Sequence, residues 1–354
     1  MQTQNTLRSV RQLIDQGLAR PAEAAVLEQV AQQFAVAITP ALVRAIDTQD
    51  PGDPLRAQFV PSADELKWLD GELADPIADH AHSPLPGLVH RYPDRVLLKP
   101  LLVCPVYCRF CFRREMVGTG AEPLSEAALD QALDYVETHT DIWEVIVSGG
   151  DPLVLSPQRL RRITERLERM AHIGSVRFHT RVPVVKPEAI DAEKVAALKS
   201  SKATYVILHT NHASELSAAA RAACARLIDA GVPMLSQTVL LKGVNADPAT
   251  LEQLFRALVA MRIKPYYLHH GDLARGTAHF RTSIEEGQRI VGALRGVMSG
   301  LCQPSYVLDL PGGHGKVPIG PNYLRATGAG DYTVLDYRGQ SHHYQDWLGE
   351  TGRR

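Results

Sequence analysis

The sequence predicts an α/β protein in which short parallel strands alternate with helices around a barrel-like sheet. Seven short β-rich runs recur between residues 95 and 308, and a helical pattern separates each run from the next. Helices at this spacing typically cross over between neighbouring parallel strands. Polar residues at the end of each run favour a barrel over a doubly wound sheet, because that edge of a (β/α) barrel carries its chemistry.

The predicted strands are short apolar runs, and several of the intervening helices begin with residues that favour a helix start, such as Ser125 or Ser156 followed by Pro157. The strands are Val96–Val103, Trp143–Val147, Val176–Phe178, Thr204–Leu208, Val232–Ser236, Lys264–Leu268 and Ser305–Leu308. The helical patterns lie near residues 125–139, 157–171, 187–200, 214–229, 248–261 and 284–298.

Each predicted strand is followed by polar or charged residues. These endings are Cys104, Ser148–Asp151, His179–Arg181, His209–Asn211, Gln237, His269–Asp272 and Asp309. Loops after strands are often polar, but seven such endings in a row are more than turn chemistry explains. We therefore expect the functional site at this edge of the sheet.

The region before the barrel has a helical pattern. Apolar residues recur at three- and four-residue spacing in Ser9–Leu18, Ala22–Phe34 and Pro40–Asp47, with a further turn near Ala63–Gly71. A connector rich in proline, aspartate and histidine follows at Asp75–Pro86. We expect a helical region with its linker over 1–88, a barrel over 89–300 and a C-terminal segment over 301–354.

The charge balance and the lack of long apolar stretches disfavour several classes of protein. The 354 residues include 38 Lys and Arg against 39 Asp and Glu, a net charge of −1 that disfavours a basic nucleic-acid binder. No stretch approaches the about 20 apolar residues of a membrane-spanning helix. The first ten residues lack the apolar core of a signal peptide. We therefore expect a cytoplasmic protein with neither nucleic acid nor a membrane as a partner.

Three of the five cysteines stand within eight residues, in the order Cys104-Pro-Val-Tyr-Cys108-Arg-Phe-Cys111. The alternatives are a chance grouping of thiols and a zinc site, although structural zinc usually takes four ligands in two separated pairs. A [4Fe–4S] cluster is ordinarily held by four cysteines, so three would leave one iron open to another ligand. Cys224 and Cys302 are predicted to be packing residues.

A lysine follows a glycine-rich loop in Asp309-Leu-Pro-Gly-Gly-His-Gly-Lys316. The segment does not fit the phosphate-binding Walker pattern, since Val317 stands where serine or threonine is required. A lysine in such a loop can instead bond to the aldehyde of pyridoxal phosphate or to a carbonyl substrate. Taken alone, the loop is better explained as a flexible surface turn.

Four segments together resemble the lysine 2,3-aminomutase family of radical S-adenosylmethionine enzymes. They are Cys104–Arg114, Ser148–Asp151, His279–Thr282 and Asp309–Lys316, and the similarity runs from about His90 to Tyr323. The resemblance implies an open partial (β/α)6 barrel of radical SAM type with a C-terminal extension that binds a cofactor. It also implies a [4Fe–4S] cluster, S-adenosyl-L-methionine (SAM) and pyridoxal 5′-phosphate.

The reaction implied by the resemblance interconverts L-lysine and L-β-lysine by 2,3-amino migration while pyridoxal phosphate holds the amino acid as an imine. The expected partners are this small-molecule substrate and an electron donor such as flavodoxin or ferredoxin, and a homo-oligomer is left open. Two alternatives remain: a role in modifying elongation factor P, and a different amino acid as substrate. The Pro-Gly-Gly-x-Gly-Lys loop, absent from the elongation-factor branch, favours free lysine.

The resemblance also assigns roles to individual residues. It implies that Cys104, Cys108 and Cys111 bind the cluster. It also implies that SAM is bound by Ser148, Gly149, Gly150, Asp151, His209 and Gln237. Pyridoxal phosphate binding falls to Lys316, Arg91 and Tyr92, and substrate binding to Arg113, Asp272 and Asp309. Arg113 would pair with the substrate carboxylate and the two aspartates with the distal ammonium of lysine. The alternative for the aspartates is turn capping or an ion pair with a local cation such as Arg275.

His314 stands where a further glycine is expected from the resemblance. It is either a surface residue or a contact to the cofactor.

Overall fold

The computed structural model describes residues 5–118 and 122–347. The outermost residues of the expected first and last regions, 1–4 and 348–354, lie outside the described residues. The chain begins with short helices, α1 Val10–Asp15, α2 Ala24–Gln33, α3 Pro40–Ala45 and α4 Pro54–Phe59. Ser9 caps α1, where its side chain accepts a hydrogen bond from the Gln12 backbone N–H. The buried faces of these helices join the main core.

A nine-stranded sheet follows, and its spatial order is the order of the chain. Its strands are β1 Leu88–Tyr92, β2 Arg95–Leu101, β3 Glu144–Gly149, β4 Ser175–Thr180, β5 Ala203–His209, β6 Met234–Val239, β7 Ile263–His269, β8 Ser305–Leu310 and β9 Gly315–Pro318. Strands β2 to β8 are parallel, whereas β1 and β9 are antiparallel edge strands. The sheet therefore curves into a nearly closed, barrel-like shape that is open between β1 and β9.

Helices outside the sheet connect the parallel strands. They are α5 Glu126–Thr138, α6 Pro157–Arg169, α7 Val182–Val185, α8 Ala192–Ala197, α9 Ala218–Asp229, α10 Pro248–Ala260 and α11 Ile284–Leu294. In α10 the buried residues are Leu251, Leu254, Phe255 and Leu258, the i, i+3, i+4, i+7 spacing that forms one helix face. Burial of these faces against the sheet forms the core, which also contains Cys224 and Cys302 as predicted.

A second, three-stranded antiparallel sheet consists of β10 Leu324–Gly328, β11 Asp331–Leu335 and β12 Ser341–Gln345. Every residue of β10 and β12 is exposed. The main sheet reaches Pro318, so the boundary expected at residue 300 does not coincide with the end of that sheet. Among the described residues, no helix is long and apolar enough to span a membrane.

All seven predicted parallel strands and the six helices between them are confirmed, with ends that shift by a few residues. Five elements were not predicted as such: α4, α7, β1, β9 and the small sheet. β1 and β9 are short and lie beside proline-rich or glycine-rich segments, so they lack the apolar runs that marked the central strands.

Candidate active site

A cavity of about 560 Å³ opens at the carboxyl edge of the parallel strands. Residues from both edge strands and from every strand ending predicted above line this cavity. All the predicted site residues are among them: Arg91, Tyr92, Cys104, Cys108, Cys111, Arg113, Ser148, Gly149, Gly150, Asp151, His209, Gln237, Asp272, Asp309 and Lys316. The fold thus brings together residues that lie up to 225 positions apart in the sequence, the distance between Arg91 and Lys316.

The three clustered cysteines follow β2 and reach the cavity from one loop. Burial raises the pKa of Cys104 well above its usual range and that of Cys108 to about 11, and it also raises the pKa of Cys111. Such thiols become good ligands only when a metal displaces their protons. Within residues 5–118 and 122–347, no three His, Cys, Asp or Glu side chains converge on one point where a single ion would sit. Three thiols on one loop at the cavity wall fit a [4Fe–4S] cluster that keeps one iron open to another ligand.

The cysteine loop is fixed from behind by the N-terminal helical region. Glu65 is fully buried and pairs with Arg109, whose Nε lies 3.0 Å from Oε1, and with Arg114. Burial alone would raise the pKa of Glu65, but the two guanidinium groups hold it below its usual range. The backbone carbonyls of Ala37 and Gln58 accept hydrogen bonds from loop N–H groups at 3.2 and 2.8 Å. The loop geometry thus depends on residues far upstream in the sequence.

The Ser148–Asp151 segment packs directly against the chain that leads into the cysteine loop. A Cβ atom on Gly150 would lie 2.3 Å from the carbonyl oxygen of Val103, and Gly149 has a φ of +102°. Larger residues are therefore excluded at both positions. The Asp151 carboxylate accepts hydrogen bonds from the Thr180 hydroxyl at 2.7 Å and from the Arg181 backbone N–H at 2.6 Å. It braces the ends of β3 and β4 against each other, which leaves Ser148 and the loop backbone to face the cavity.

Two histidines at the middle strand endings carry unsatisfied polar atoms. The Nε2 atoms of His179 and His209 are shielded from solvent and have no hydrogen-bond partner in the part of the chain that the structure describes. Burial lowers the pKa of both imidazoles well below the usual range, so both rings are neutral. An unpaired buried polar atom is costly, and a ligand in the cavity would supply the missing partner. These atoms therefore fit the presence of a polar cofactor.

Lys316 lies on β9 and also lines the cavity. Its backbone N–H donates a 2.8 Å hydrogen bond to the Tyr92 hydroxyl, and its ammonium contacts Asp309 and lies 3.2 Å from His269 Nδ1. Burial, followed by the Lys316 charge, lowers the pKa of His269. Asp309 thus holds the amine in place at the cavity wall, where the aldehyde of pyridoxal phosphate would meet it.

The glycines before Lys316 let that loop approach β1 closely. Gly315 has a φ of +96°, and a Cβ atom there would lie 3.1 Å from the Tyr92 hydroxyl oxygen. Gly313 has a φ of +79°, and a Cβ atom there would lie 2.5 Å from His82 Nε2. His314 is exposed and does not line the cavity. Of the two possibilities stated for it, the structure places it at the surface.

A buried ionic cluster surrounds Asp79 at the cavity wall. The carboxylate accepts hydrogen bonds from Arg113 Nε at 2.8 Å, from Lys99 Nζ at 3.3 Å and from Arg91 Nη2 at 3.3 Å. Burial opposes ionisation, but the charges of Arg113 and Lys99 lower the pKa of Asp79 to about 2. Three cations around one carboxylate leave a net positive charge, which favours anionic groups such as a phosphate or a substrate carboxylate. Asp79 and Lys99 were not predicted from the sequence.

The carboxyl groups of Asp272 and Asp309 form an acidic pair that also lines the cavity. Burial, reinforced by the Asp309 charge, raises the pKa of Asp272 to about 7. Burial works in the same direction on Asp309, but a hydrogen bond with His269 and the Lys316 charge lower the pKa of that carboxyl. Arg275 lies 3.6 Å from Glu115 Oε2 and so pairs with that residue rather than with either aspartate. A second cation placed beside Asp272 would relieve the repulsion between the two carboxyl groups.

One further residue near the cysteines was predicted only as part of a polar strand ending. Arg181 is buried, and its Nη1 donates to the Cys108 sulfur at 3.4 Å. The sequence signal was its place directly after β4, among the residues that end the parallel strands.

Comparisons with known proteins agree with this geometry. The family model for the radical SAM superfamily matches residues 98–254, and that for lysine-2,3-aminomutase matches residues 291–347. The L-lysine 2,3-aminomutase of Clostridium subterminale is 41% identical over 296 residues, which cover 84% of this chain and 71% of the relative. A putative L-lysine 2,3-aminomutase of Aquifex aeolicus is 36% identical over 345 residues, which cover 97% and 93% of the two chains.

A glutamate 2,3-aminomutase of Clostridioides difficile is 36% identical over 309 residues, which cover 87% of this chain and 73% of the relative. The relatives therefore share the aminomutase reaction but differ in the amino acid named. Since these matches span the barrel, the cysteine loop and the lysine loop together, the chain belongs to the lysine 2,3-aminomutase family of radical SAM enzymes.

Proposed function

We propose that this aminomutase interconverts L-lysine and L-β-lysine, and that it acts on the free amino acid. The observation that carries the proposal is the distribution of charge in the cavity. Arg91 and Arg113 are grouped around Asp79, the charge of Asp309 acts on Asp272, and all of these residues line the cavity. A ligand with an anionic end and a cationic far end matches this distribution.

The acidic pair supports lysine over glutamate. A buried ammonium is costly unless it is paired, and two carboxyl groups supply that pairing. The side-chain carboxylate of glutamate would instead add a third negative group beside Asp272 and Asp309. The raised pKa of Asp272, which follows from burial and from Asp309, marks a place where one positive charge is missing.

As a member of its family, the chain is an isomerase that uses a [4Fe–4S] cluster, SAM and pyridoxal phosphate. When bound, the cluster with SAM supplies the adenosyl radical that abstracts hydrogen, and pyridoxal phosphate supplies the carbonyl on which the amino group moves. Cys104, Cys108 and Cys111 would hold the cluster. SAM would be bound by a set of strand-end residues: Ser148, Gly149, Gly150, Asp151, His209 and Gln237.

The remaining site residues bind and orient. Arg91 and Tyr92 would bind the phosphate of the cofactor, and Lys316 supplies the amine that would hold its aldehyde. Arg113 would grip the substrate carboxylate, because its planar guanidinium can meet both oxygens at once. The partly enclosed cavity would keep the substrate in one orientation and exclude water from the reactive centre.

We also propose a role for each of three regions. Residues 1–88 support the cysteine loop, residues 89–300 form the barrel, and residues 301–354 supply the cofactor lysine. A cytoplasmic location, and a one-electron donor of the flavodoxin or ferredoxin class, complete the proposal. The small molecule is the partner that the family membership supports directly.

The decisive experiment is turnover by the anaerobically reconstituted enzyme. Protein loaded with iron, sulfide and pyridoxal phosphate is incubated with SAM, dithionite and isotope-labelled lysine, and β-lysine is measured by mass spectrometry. Arginine, ornithine and glutamate are run in parallel. Faster isomerisation of any of these three contradicts the lysine assignment while leaving the reaction class intact.

Variants test the acidic pair directly. Asp272→Asn should reduce kcat/KM for lysine by about 30- to 5,000-fold, because removing one partner of a buried charge pair costs about 2–5 kcal/mol. Asp134→Asn is the matched control, since Asp134 forms an exposed ion pair with Arg166 on the outside of the barrel. Copurification with elongation factor P together with poor turnover of free lysine would favour the alternative function.

A further inference from the structure

The guanidinium of Arg181 lies against one of the three clustered cysteines. Its Nη1 donates to Cys108 Sγ at 3.4 Å. The group is buried beside two aromatic rings, with its central carbon 4.8 Å from the centre of Phe59 and 5.3 Å from that of Phe110. A full positive charge is therefore held next to this sulfur in a poorly hydrated environment, where its field is only weakly screened.

Glu215 and Gln58 fix the position of this charge. Arg181 Nη2 donates to Glu215 Oε2 at 2.6 Å and to Gln58 Oε1 at 2.7 Å. Glu215 is itself held, because its Oε1 accepts hydrogen bonds from the backbone N–H groups of Asn211 at 2.8 Å and His212 at 3.0 Å. The two Nη atoms thus have separate tasks, since one binds the supporting carboxylate and the other faces the sulfur.

The three arginines of the cysteine loop are oriented differently. Arg113 Nε donates to the Asp79 carboxylate at 2.8 Å. Arg109 and Arg114 both pair with Glu65, and their remaining contacts include backbone carbonyls of Ala35 and Gly276. Their charges are opposed by that carboxylate on the far side of the loop. Arg181 therefore differs from them in directing one of its N–H groups at a cysteine sulfur.

We propose that Arg181 tunes the reduction potential of the iron–sulfur cluster through Cys108, and that Glu215 opposes this effect. The cluster must accept one electron from a low-potential donor, which lowers its total charge by one unit. A fixed cation and an N–H···S hydrogen bond at a ligand both stabilise the more negative state. Arg181 would thus make the cluster easier to reduce. The Glu215 carboxylate, which contacts Arg181, would make this positive shift of the reduction potential smaller.

The test is a potentiometric titration of the reconstituted cluster, followed by electron paramagnetic resonance in the absence of SAM and lysine. Arg181→Gln should shift the midpoint potential to a more negative value. Glu215→Gln keeps a hydrogen-bond acceptor but removes the negative charge, so it should shift the midpoint to a more positive value. Arg181→Lys, which keeps the charge, should fall between wild type and Arg181→Gln.

Opposite shifts separate this proposal from a purely structural role, in which both glutamine variants would disturb the loop in the same direction. Iron and sulfide content identifies variants that fail to assemble. If Arg181→Gln fails in this way, the positive shift of Glu215→Gln still decides the matter. Equal or same-sign shifts at full iron content would overturn the proposal. Because no amino acid is present, the result is independent of whether lysine is the substrate.

Discussion

The hydroxyl of Tyr92 accepts a 2.8 Å hydrogen bond from the backbone N–H of Lys316. This contact joins β1 to β9, the two strands at the edges of the main sheet. The barrel is therefore bridged by a side chain at the point where its backbone ladder is open. The same contact fixes the residue that would carry the aldehyde cofactor.

Replacement of Tyr92 by phenylalanine should loosen this bridge. We expect the free energy of unfolding to fall by about 1 kcal/mol, the usual net contribution of one hydrogen bond. Pyridoxal phosphate should also dissociate faster, since the lysine backbone loses its anchor and the cofactor phosphate loses the hydroxyl proposed to bind it. Urea denaturation and cofactor retention after gel filtration measure the two effects. Tyr135→Phe, which removes a 2.9 Å contact with His90, is the control that should lose stability but not cofactor.

Lys316 should be the residue that bonds covalently to pyridoxal phosphate. Borohydride treatment of the loaded protein followed by peptide mass mapping should place the cofactor on Lys316. Lys316→Ala should remove both the label and the yellow absorbance. Lys264→Met is the control, because Lys264 donates to the Gln303 carbonyl at 2.8 Å and lies outside the cavity lining. A label that persists in Lys316→Ala would contradict the assignment.

Asp79 should position the two arginines that receive the anionic groups. Asp79→Asn leaves Arg113, Lys99 and Arg91 without their shared carboxylate, so the free energy of unfolding should fall by about 3–5 kcal/mol. The KM for lysine should rise more than kcat falls, because the carboxylate-binding arginine is no longer held in place. Steady-state kinetics and chemical denaturation provide both measurements. An unchanged KM would rule out the positioning role.

The ionisation of Asp272 should make both stability and lysine binding depend on pH. Its pKa is raised to about 7 in the fold, by burial and then by Asp309, against 3.8 for an unperturbed aspartate. Between these values the folded state binds a proton that the unfolded state has released. The contribution of Asp272 to the free energy of unfolding should therefore fall as pH rises from about 4 to about 7. Buried histidines with lowered pKa values, such as His179 and His209, contribute in the opposite direction. Thermal unfolding of the cofactor-free wild type and of Asp272→Asn should therefore show a stability difference between the two proteins that falls as pH rises across this range.

Lysine binding should reverse this preference, because an ammonium beside Asp272 stabilises its ionised form. At about pH 6, binding should release a proton, and affinity should increase towards pH 7. Calorimetry in two buffers of different ionisation enthalpy counts that proton. Asp272→Asn should release none, and equal proton release by wild type and variant would contradict the role given to Asp272.

The central part of the fold follows from the sequence because each buried strand is a short apolar run between helices with clear caps. The edge strands do not follow from the sequence, since β9 begins at Gly315 directly after a glycine-rich loop and β1 follows the proline-rich connector. The exposed strands of the small sheet bury too little surface to leave an alternating apolar pattern. Tertiary pairing, rather than local preference, produces these elements.

The residues that line the site could be predicted from the resemblance and from the strand endings. The residues that hold them in place could not. Asp79 lies in a polar connector whose composition suggests a surface linker, yet its main partner is Arg113, 34 residues later. Glu65 likewise pairs with Arg109 across 44 residues. Composition and periodicity identify which groups are charged, but they do not identify which distant charge each group will meet on folding.

The position of Glu65 in the chain also affects the order in which the contacts of the cysteine loop can form during synthesis. Glu65, Ala37 and Gln58, which contact the cysteine loop, precede it in the chain, so they have left the ribosome by the time that loop emerges. Gly276, whose carbonyl accepts a hydrogen bond from Arg114, and Lys316 emerge much later. A nascent chain can therefore form the upstream part of the support for its cysteine loop well before it contains the lysine for the aldehyde cofactor.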